Sequence, residues 1–260
     1  MGGRSSNFKY NFNTGETQTQ KSNIIPLIDD DNDTISERNH YLVDELQEKH
    51  HILCQSTDNF GYDVMTANLA KINATLDKYP QIKASLKNHE LNIRGAEFDK
   101  TNTVACFSYT PGKDDGMTIF LGKNAYDRSK KEIESITENQ VSSKKWSQCD
   151  DENLINHTIM HEYGHFVETQ IINKIIKKDH NIENLSPVEK ISIFDAYARR
   201  IKRDIIHIQK EKFNTYNDFI SEYGNYNSKE FFAETFANLV NSKNPTTLAK
   251  SLEIYLKENL

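Results

Sequence analysis

Two histidines four residues apart, with a glutamate directly after the first, form the stretch of this chain best suited to chemistry. The motif is H-E-Y-G-H at residues 161–165, inside a run over 153–174 with helical periodicity. Side chains at i and i+4 lie one turn apart on the same helix face, so both imidazoles can reach one metal ion. Glu162 points beside that ion, where it can take a proton from a zinc-bound water. The spacing predicts that His161 and His165 are metal ligands and that Glu162 is a general base.

A catalytic zinc site has three protein ligands, and the helix predicted over 228–240 offers two carboxylates for the third position. Glu230 and Glu234 lie four residues apart on one face. Their neighbours on this helix are mainly apolar: Phe231, Phe232, Ala233, Phe236, Ala237 and Leu239. Carboxylates on a buried face need partners, such as a metal cation or the N–H of a ligating histidine. The alternative is a partly exposed glutamate pair on an amphipathic helix.

The remaining periodicity predicts an α+β chain with three regions. Residues 1–33 read as a flexible N-terminal arm, 34–100 as a helical N-terminal region, and 101–260 as the catalytic region, forming one compact unit with 34–100. Further helices are predicted over 34–53, 62–78, 130–139, 187–209 and 247–256. Strands are predicted over 91–94, 104–109 and 117–121, forming a small, mostly antiparallel sheet before the metal helix.

Two features of these elements suggest how a substrate is accommodated. The last strand, with Thr118, Ile119 and Phe120, is the candidate edge to which an extended peptide would add by main-chain hydrogen bonds. Gly164 is a poor helix former placed between the two histidines. We expect it to leave room for a neighbouring chain or for the substrate.

The composition indicates which partners and which cellular compartment are expected. The formal net charge is −6 and the basic residues form no stripe, so no nucleic-acid partner is expected. No apolar run approaches the length of a membrane span, and residues 1–19 lack the apolar core of a signal peptide. Cys54, Cys106 and Cys149 are odd in number and widely spaced, as for reduced thiols. We expect a cytoplasmic protein, or one in a virion or exported without a signal peptide.

The motifs together resemble the catalytic domain of the anthrax lethal factor-like zinc metallopeptidases. The resemblance rests on H-E-Y-G-H at 161–165, on Tyr223-Gly224, and on E-F-F-A-E at 230–234 followed by Phe236. It extends over about 104–240, and the first hundred residues match no family. Relatives in this family include the Pro-Pro endopeptidases and the zincin domains found beside phage head proteins. The resemblance implies a zincin-like fold.

The resemblance also implies a role for each matching residue. One zinc ion per chain would be bound by His161, His165 and Glu230, and Glu234 would support a ligand. The tyrosine seven residues before the third ligand stabilises the oxyanion in this family. Tyr223 has that offset, since 230 − 223 = 7. Tyr226 is the alternative donor.

The expected activity is hydrolysis of a peptide bond in a protein or peptide substrate, by a water that Glu162 activates. Two other classes remain open. The chain is alternatively a phage or mobile-element structural protein, with capsid or mobile-element partners and weak or no activity. The third possibility is a toxin-like effector protease. The neighbouring genes discriminate between these two settings.

Overall fold

The computed structural model of this chain describes residues 24–26, 37–55, 60, 62–82, 91–98, 103–113, 116–179 and 184–260. Most of the predicted flexible arm, residues 1–33, therefore lies outside the described residues. The exception is a short strand at its end. All statements below concern the described part of the chain.

The described strands all lie in the first half of the chain, where helices separate the first three of them, and the described part of the second half contains helices only. The strands are β1 (Ile24–Pro26), β2 (Ile52–Gln55), β3 (Leu91–Phe98), β4 (Ala105–Ser108) and β5 (Met117–Gly122). The helices are α1 (Glu37–His50), α2 (Tyr62–Lys78), α3 (Lys123–Tyr126), α4 (Lys130–Ser142), α5 (His157–Asp179), α6 (Pro187–Phe213), α7 (Ser228–Asn241) and α8 (Thr247–Asn259). A 3₁₀ helix, Asp151–Asn156, leads directly into α5. The predicted α+β class is thus confirmed.

The five strands form one mixed sheet, so the expectation of a mostly antiparallel sheet is wrong. The strand order is β1-β3-β5-β4, and β2 also pairs with β3. The β2–β3 and β3–β5 pairs are parallel, whereas β1–β3 and β4–β5 are antiparallel. The sequence does not predict the parallel β2–β3 pair, because the first predicted helix, 34–53, continues over the first two residues of β2. That helix ends at His50, and His51 adopts a left-handed conformation with φ of 55° that turns the chain into β2.

The predicted substrate edge is also wrong, because Thr118, Ile119 and Phe120 lie on an interior strand. In β5, Thr118 pairs with Asn92 on one side and with Ser108 on the other. The hairpin after β4 places β5 between β3 and β4, so its main-chain groups are already used in the sheet. The strand left at this edge of the described sheet is β4.

Helix α5 runs through the core, with β4 and β5 packed against it on one side and α7 on another. Its apolar residues are almost completely buried except Ile175, which is partly exposed, and its polar residues from His157 to Gln170 are buried as well. Strands β2 and β3, from the predicted N-terminal region, share the sheet with β4 and β5 and pack in the same core cluster. Described residues of both predicted regions, 34–100 and 101–260, thus contribute to one sheet and one core cluster.

Two further predictions concern the chain's surroundings. Among the described helices, none combines the length and the apolar character that crossing a membrane requires. The Cys106 and Cys149 side chains are buried, whereas that of Cys54 is partly exposed.

Candidate metal centre

Helices α5 and α7 bring three potential ligand atoms together in the core. His161 Nε2 lies 3.1 Å from His165 Nε2 and 3.1 Å from Glu230 Oε2, and the latter two atoms are 3.5 Å apart. All three side chains are buried. This is the only group of at least three His, Cys, Asp or Glu ligand atoms within mutual reach that the described residues contain. The group can hold a metal ion.

The spacing of these atoms fits a tetrahedral ion of the size of zinc. Two ligand atoms that each lie about 2.1 Å from a tetrahedral zinc are separated by roughly 3.4 Å. The three observed separations, 3.1, 3.1 and 3.5 Å, are close to that value. Two imidazoles and one carboxylate are also a donor set that zinc accepts at catalytic sites.

Gly164 makes this convergence possible, because it allows α5 and α7 to approach closely. A Cβ atom at Gly164 would lie 2.9 Å from Ala233 Cα and 3.1 Å from Phe236 Cβ. Ordinary Cβ contacts are longer, so any larger residue would push the helix that carries Glu230 away from the histidines. The sequence predicts that Gly164 leaves room for a neighbouring chain segment or for the substrate. The contacts with α7 support the first of these interpretations.

Glu234 does not reach the three-atom group but holds one of its histidines. Its Oε1 accepts a hydrogen bond of 2.8 Å from His161 Nδ1. A carboxylate accepts rather than donates, so the proton of neutral His161 lies on Nδ1 and the Nε2 lone pair faces His165 and Glu230. Burial opposes ionisation of His161, but its bonds to Glu230 and Glu234 hold its pKa well above the usual range. Binding of a metal would therefore displace a proton.

Glu162 is buried beside the ligand group and next to the sheet edge. Burial raises the pKa of Glu162 to about 7; the charge of His161 and a hydrogen bond from the Phe107 backbone oppose this rise. Phe107 belongs to β4, the edge strand, so the predicted base lies where an extended chain added to β4 would pass. A pKa near neutrality suits a group that accepts and returns a proton.

The structure separates the two candidate oxyanion donors. The Tyr223 ring lies 5.5 Å from the His161 ring, centroid to centroid. Burial and the charges of nearby carboxylates, Glu230 first among them, raise the pKa of the Tyr223 hydroxyl, so it stays protonated and able to donate. Tyr226 is 80 % exposed. Of the two tyrosines, Tyr223 is thus the one whose ring lies next to a candidate metal ligand, and its role as oxyanion donor stays a prediction.

The segment around Trp146 and Ser147, to which the sequence alone assigns no role, also contacts the site. The backbone N–H of Ser147 donates to Glu234 Oε2, and the Ser147 hydroxyl lies 3.1 Å from His157 Nε2. The ring of His157 stacks on Trp146 at 5.0 Å between centroids. Ser221 also donates to Glu234 Oε2, at 3.0 Å. No spacing pattern points to these contacts, because they join segments far apart in the sequence.

A scan against protein-family models gave no match, and neither curated proteins nor solved structures gave one. The resemblance to the lethal factor-like peptidases therefore stays a prediction based on short motifs.

Proposed function

We propose that this protein is a zinc-dependent endopeptidase with a zincin-like fold, related to the lethal factor-like metallopeptidases. One observation carries the proposal: the convergence of His161, His165 and Glu230 beside a buried glutamate, Glu162, whose pKa is near 7. Three protein ligands leave one coordination position of a tetrahedral ion for water or substrate. A purely structural zinc site has four protein ligands, and no fourth joins this group among the described residues.

The residues around the site divide the chemistry between them. When bound, the zinc would polarise the scissile carbonyl and lower the pKa of a water. Glu162 takes the proton of the attacking water and passes it to the leaving amine. Tyr223 donates a hydrogen bond to the oxygen that becomes negatively charged as the tetrahedral intermediate forms. Glu234 keeps His161 in the tautomer that presents Nε2 to the ion.

The substrate would be an extended segment of a protein or peptide that adds to β4. In this sheet β4 pairs only with β5, so its other side faces no strand among the described residues. Main-chain hydrogen bonds to such an edge bind a peptide without requiring a particular sequence. Phe107 lies on β4 and its backbone donates a hydrogen bond to Glu162, which supports a peptide on this edge having its scissile bond near the base.

The experiment begins with metal analysis of protein purified without chelator, where we expect about one zinc per chain. A His161→Ala/His165→Ala double variant should contain none. Cleavage of a proteome-derived peptide library by the zinc-loaded protein then tests the activity, with Glu162→Gln as the inactive control. Wild-type protein that binds zinc but produces no cleavage beyond that control would leave a metal-binding protein and refute the peptidase assignment.

A further inference from the structure

One buried hydroxyl connects the metal centre to the loop that carries Tyr223. Ser221 is fully buried, at 0 % exposure. Its Oγ donates a 3.0 Å hydrogen bond to Glu234 Oε2 and accepts a 2.8 Å hydrogen bond from the Gly224 backbone N–H. The other oxygen of the same carboxylate accepts from His161. A chain of three hydrogen bonds therefore runs from the residue after Tyr223 to a metal ligand.

Packing allows this chain little freedom. A Cβ atom at Gly224 would lie 2.4 Å from Ile220 Cγ2, 3.1 Å from Ser221 Oγ and 3.3 Å from Glu234 Cβ. The turn thus lies directly against α7, with no space for a side chain. The position of Gly224 next to Ser221 therefore also determines where the Tyr223 backbone lies.

The segment 144–147 holds the same turn from the other side. The Glu222 N–H donates to Lys144 O at 2.9 Å, and the Tyr223 N–H donates to Lys145 O at 3.0 Å. Two residues later, the Ser147 N–H donates to Glu234. The loop with Tyr223 is therefore held by this segment on one side and by Glu234 on the other, and the Ser221 side chain joins the loop to Glu234.

We infer that Ser221 is a positioning residue that couples metal binding to the placement of Tyr223. The inference rests on the proposed zinc site. Glu234 Oε2 needs a donor if Oε1 is to stay on His161, and Ser221 is one of two that supply it. The same hydroxyl holds Gly224 next to Tyr223. Loss of the hydroxyl should affect both the metal ligand and the tyrosine, although Ser221 touches neither the ion nor the substrate.

The test compares Ser221→Ala with Ser251→Ala, a matched control. Ser251 is also fully buried, and its hydroxyl bonds Thr247 O within α8, away from the site. Zinc affinity is measured by competition with a chelator, and the visible absorption of the Co²⁺-loaded protein reports ligand geometry. We expect Ser221→Ala to weaken zinc binding about 10–100-fold and to change the Co²⁺ spectrum. Ser251→Ala should match wild type in both measurements, whatever its melting temperature.

Other outcomes are equally decisive. If Ser221→Ala lowers only the melting temperature, with zinc affinity and Co²⁺ spectrum unchanged, the residue merely packs and the inference is overturned while the zinc site stands. If Ser221→Ala fails to fold, Ser221→Cys takes its place, because a thiol of similar size is a weaker donor and acceptor. A zinc affinity equal to wild type in that variant overturns the inference as well. Wild-type protein without zinc would instead refute the proposed function.

Discussion

Two pairs of buried glutamates, one on each helix of the metal centre, behave in opposite ways. Glu230 and Glu234 on α7 have lowered pKa values, that of Glu230 to about 2. Glu162 and Glu168 on α5 have raised values, of about 7 and about 8. All four side chains are almost completely buried. Burial alone therefore does not decide whether a carboxylate at this site is charged.

The difference lies in the positive partners and N–H donors that each pair meets. Burial works against ionisation of Glu230, but the charge of His165 and hydrogen bonds from both histidines outweigh it. For Glu168, burial prevails over the charge of the nearby Lys229, which favours ionisation. Helix α7, which faces the imidazoles, thus supplies ionised carboxylates. Helix α5, which carries the imidazoles, supplies carboxyl groups that hold a proton near neutral pH.

The largest effect should follow from removing the charge of the proposed ligand on α7. Glu230→Gln should lower zinc affinity by more than about 100-fold, because it replaces an anionic ligand rather than a residue that supports one. Chelator competition measures the affinity. Glu168→Gln is the matched control on α5 and should bind zinc like wild type. Equal zinc binding by both variants would show that the two pairs do not differ in role.

Replacing the proposed base should separate chemistry from metal binding. Glu162→Gln keeps the shape of the side chain but removes the proton acceptor, so kcat/KM should fall about 10²–10⁴-fold. Zinc content should remain about one per chain, because Glu162 lies beside the ligand group. Cleavage kinetics on a library-derived peptide and metal analysis of the same sample provide the measurement. A fully active Glu162→Gln protein would contradict the role given to α5.

A smaller loss of rate is expected at the tyrosine next to the centre. Tyr223→Phe should lower kcat about 10²–10³-fold, the usual effect of losing one oxyanion donor, with little change in KM. Tyr226→Phe is the control and should stay near wild type, because that side chain is largely exposed. A loss of zinc from Tyr223→Phe would instead assign the hydroxyl to the metal ligands.

Glu234→Gln should lower zinc affinity moderately. This variant tests whether both α7 carboxylates must carry a negative charge. The amide oxygen can still accept a hydrogen bond from His161 Nδ1–H but carries no charge, so zinc affinity should fall about 10–100-fold. Titration with a chelator measures the difference. A loss as large as that of Glu230→Gln would mean that Glu234 binds the ion directly.

The smallest effect on the site is expected at Glu168, where the change should appear in stability instead. Its pKa of about 8 lies above the unfolded value of 4.5, so the folded state holds the proton more tightly. The free energy of unfolding therefore falls as pH rises between these values. Glu168→Gln should remove this loss. Its stability relative to wild type should thus grow between pH 5 and 8, by on the order of a few kcal/mol in urea titrations.

Charged groups around Glu168 also influence its ionisation in the folded protein. Lys229 on α7 favours its ionised form, whereas Glu230 on α7 and Asp195 on α6 oppose it. Lys229 also forms an ion pair of 2.7 Å with Asp195. A stability difference that does not change with pH would mean that Glu168 is ionised in the folded protein and that the two helices do not differ as described.

Local patterns were enough to predict most helices and the three side chains that converge in the candidate metal-binding group. The second helix was predicted over 62–78 and runs over those residues, and the predicted start of α6 at Pro187 is confirmed. A Ser-x-x-Glu capping box and a proline in the first turn indicate where a helix begins, and all of these residues lie within a few positions of each other. His161 and His165 face one point because a single helical turn separates them.

Strand order could not be predicted in this way. Short apolar runs fit several pairings, and whether β5 lies inside the sheet depends on where β3 lies, which is set by packing of distant segments. The edge strand was therefore misassigned. The segment around Trp146 and Ser147 was overlooked for the same reason, since its bond to Glu234 spans 87 positions.

The sequence by itself determined which residue types could bind a metal and accept a proton, because the spacing of a motif on one helix translates directly into geometry. Only the tertiary structure decided how α7 lies against that helix. Close contact at Gly164 brings Glu230 within 3.1 Å of His161 Nε2 and leaves Glu234 to hold the other ring nitrogen. The pKa values of the four glutamates follow from that contact, because each depends on which donors and charges packing places beside it.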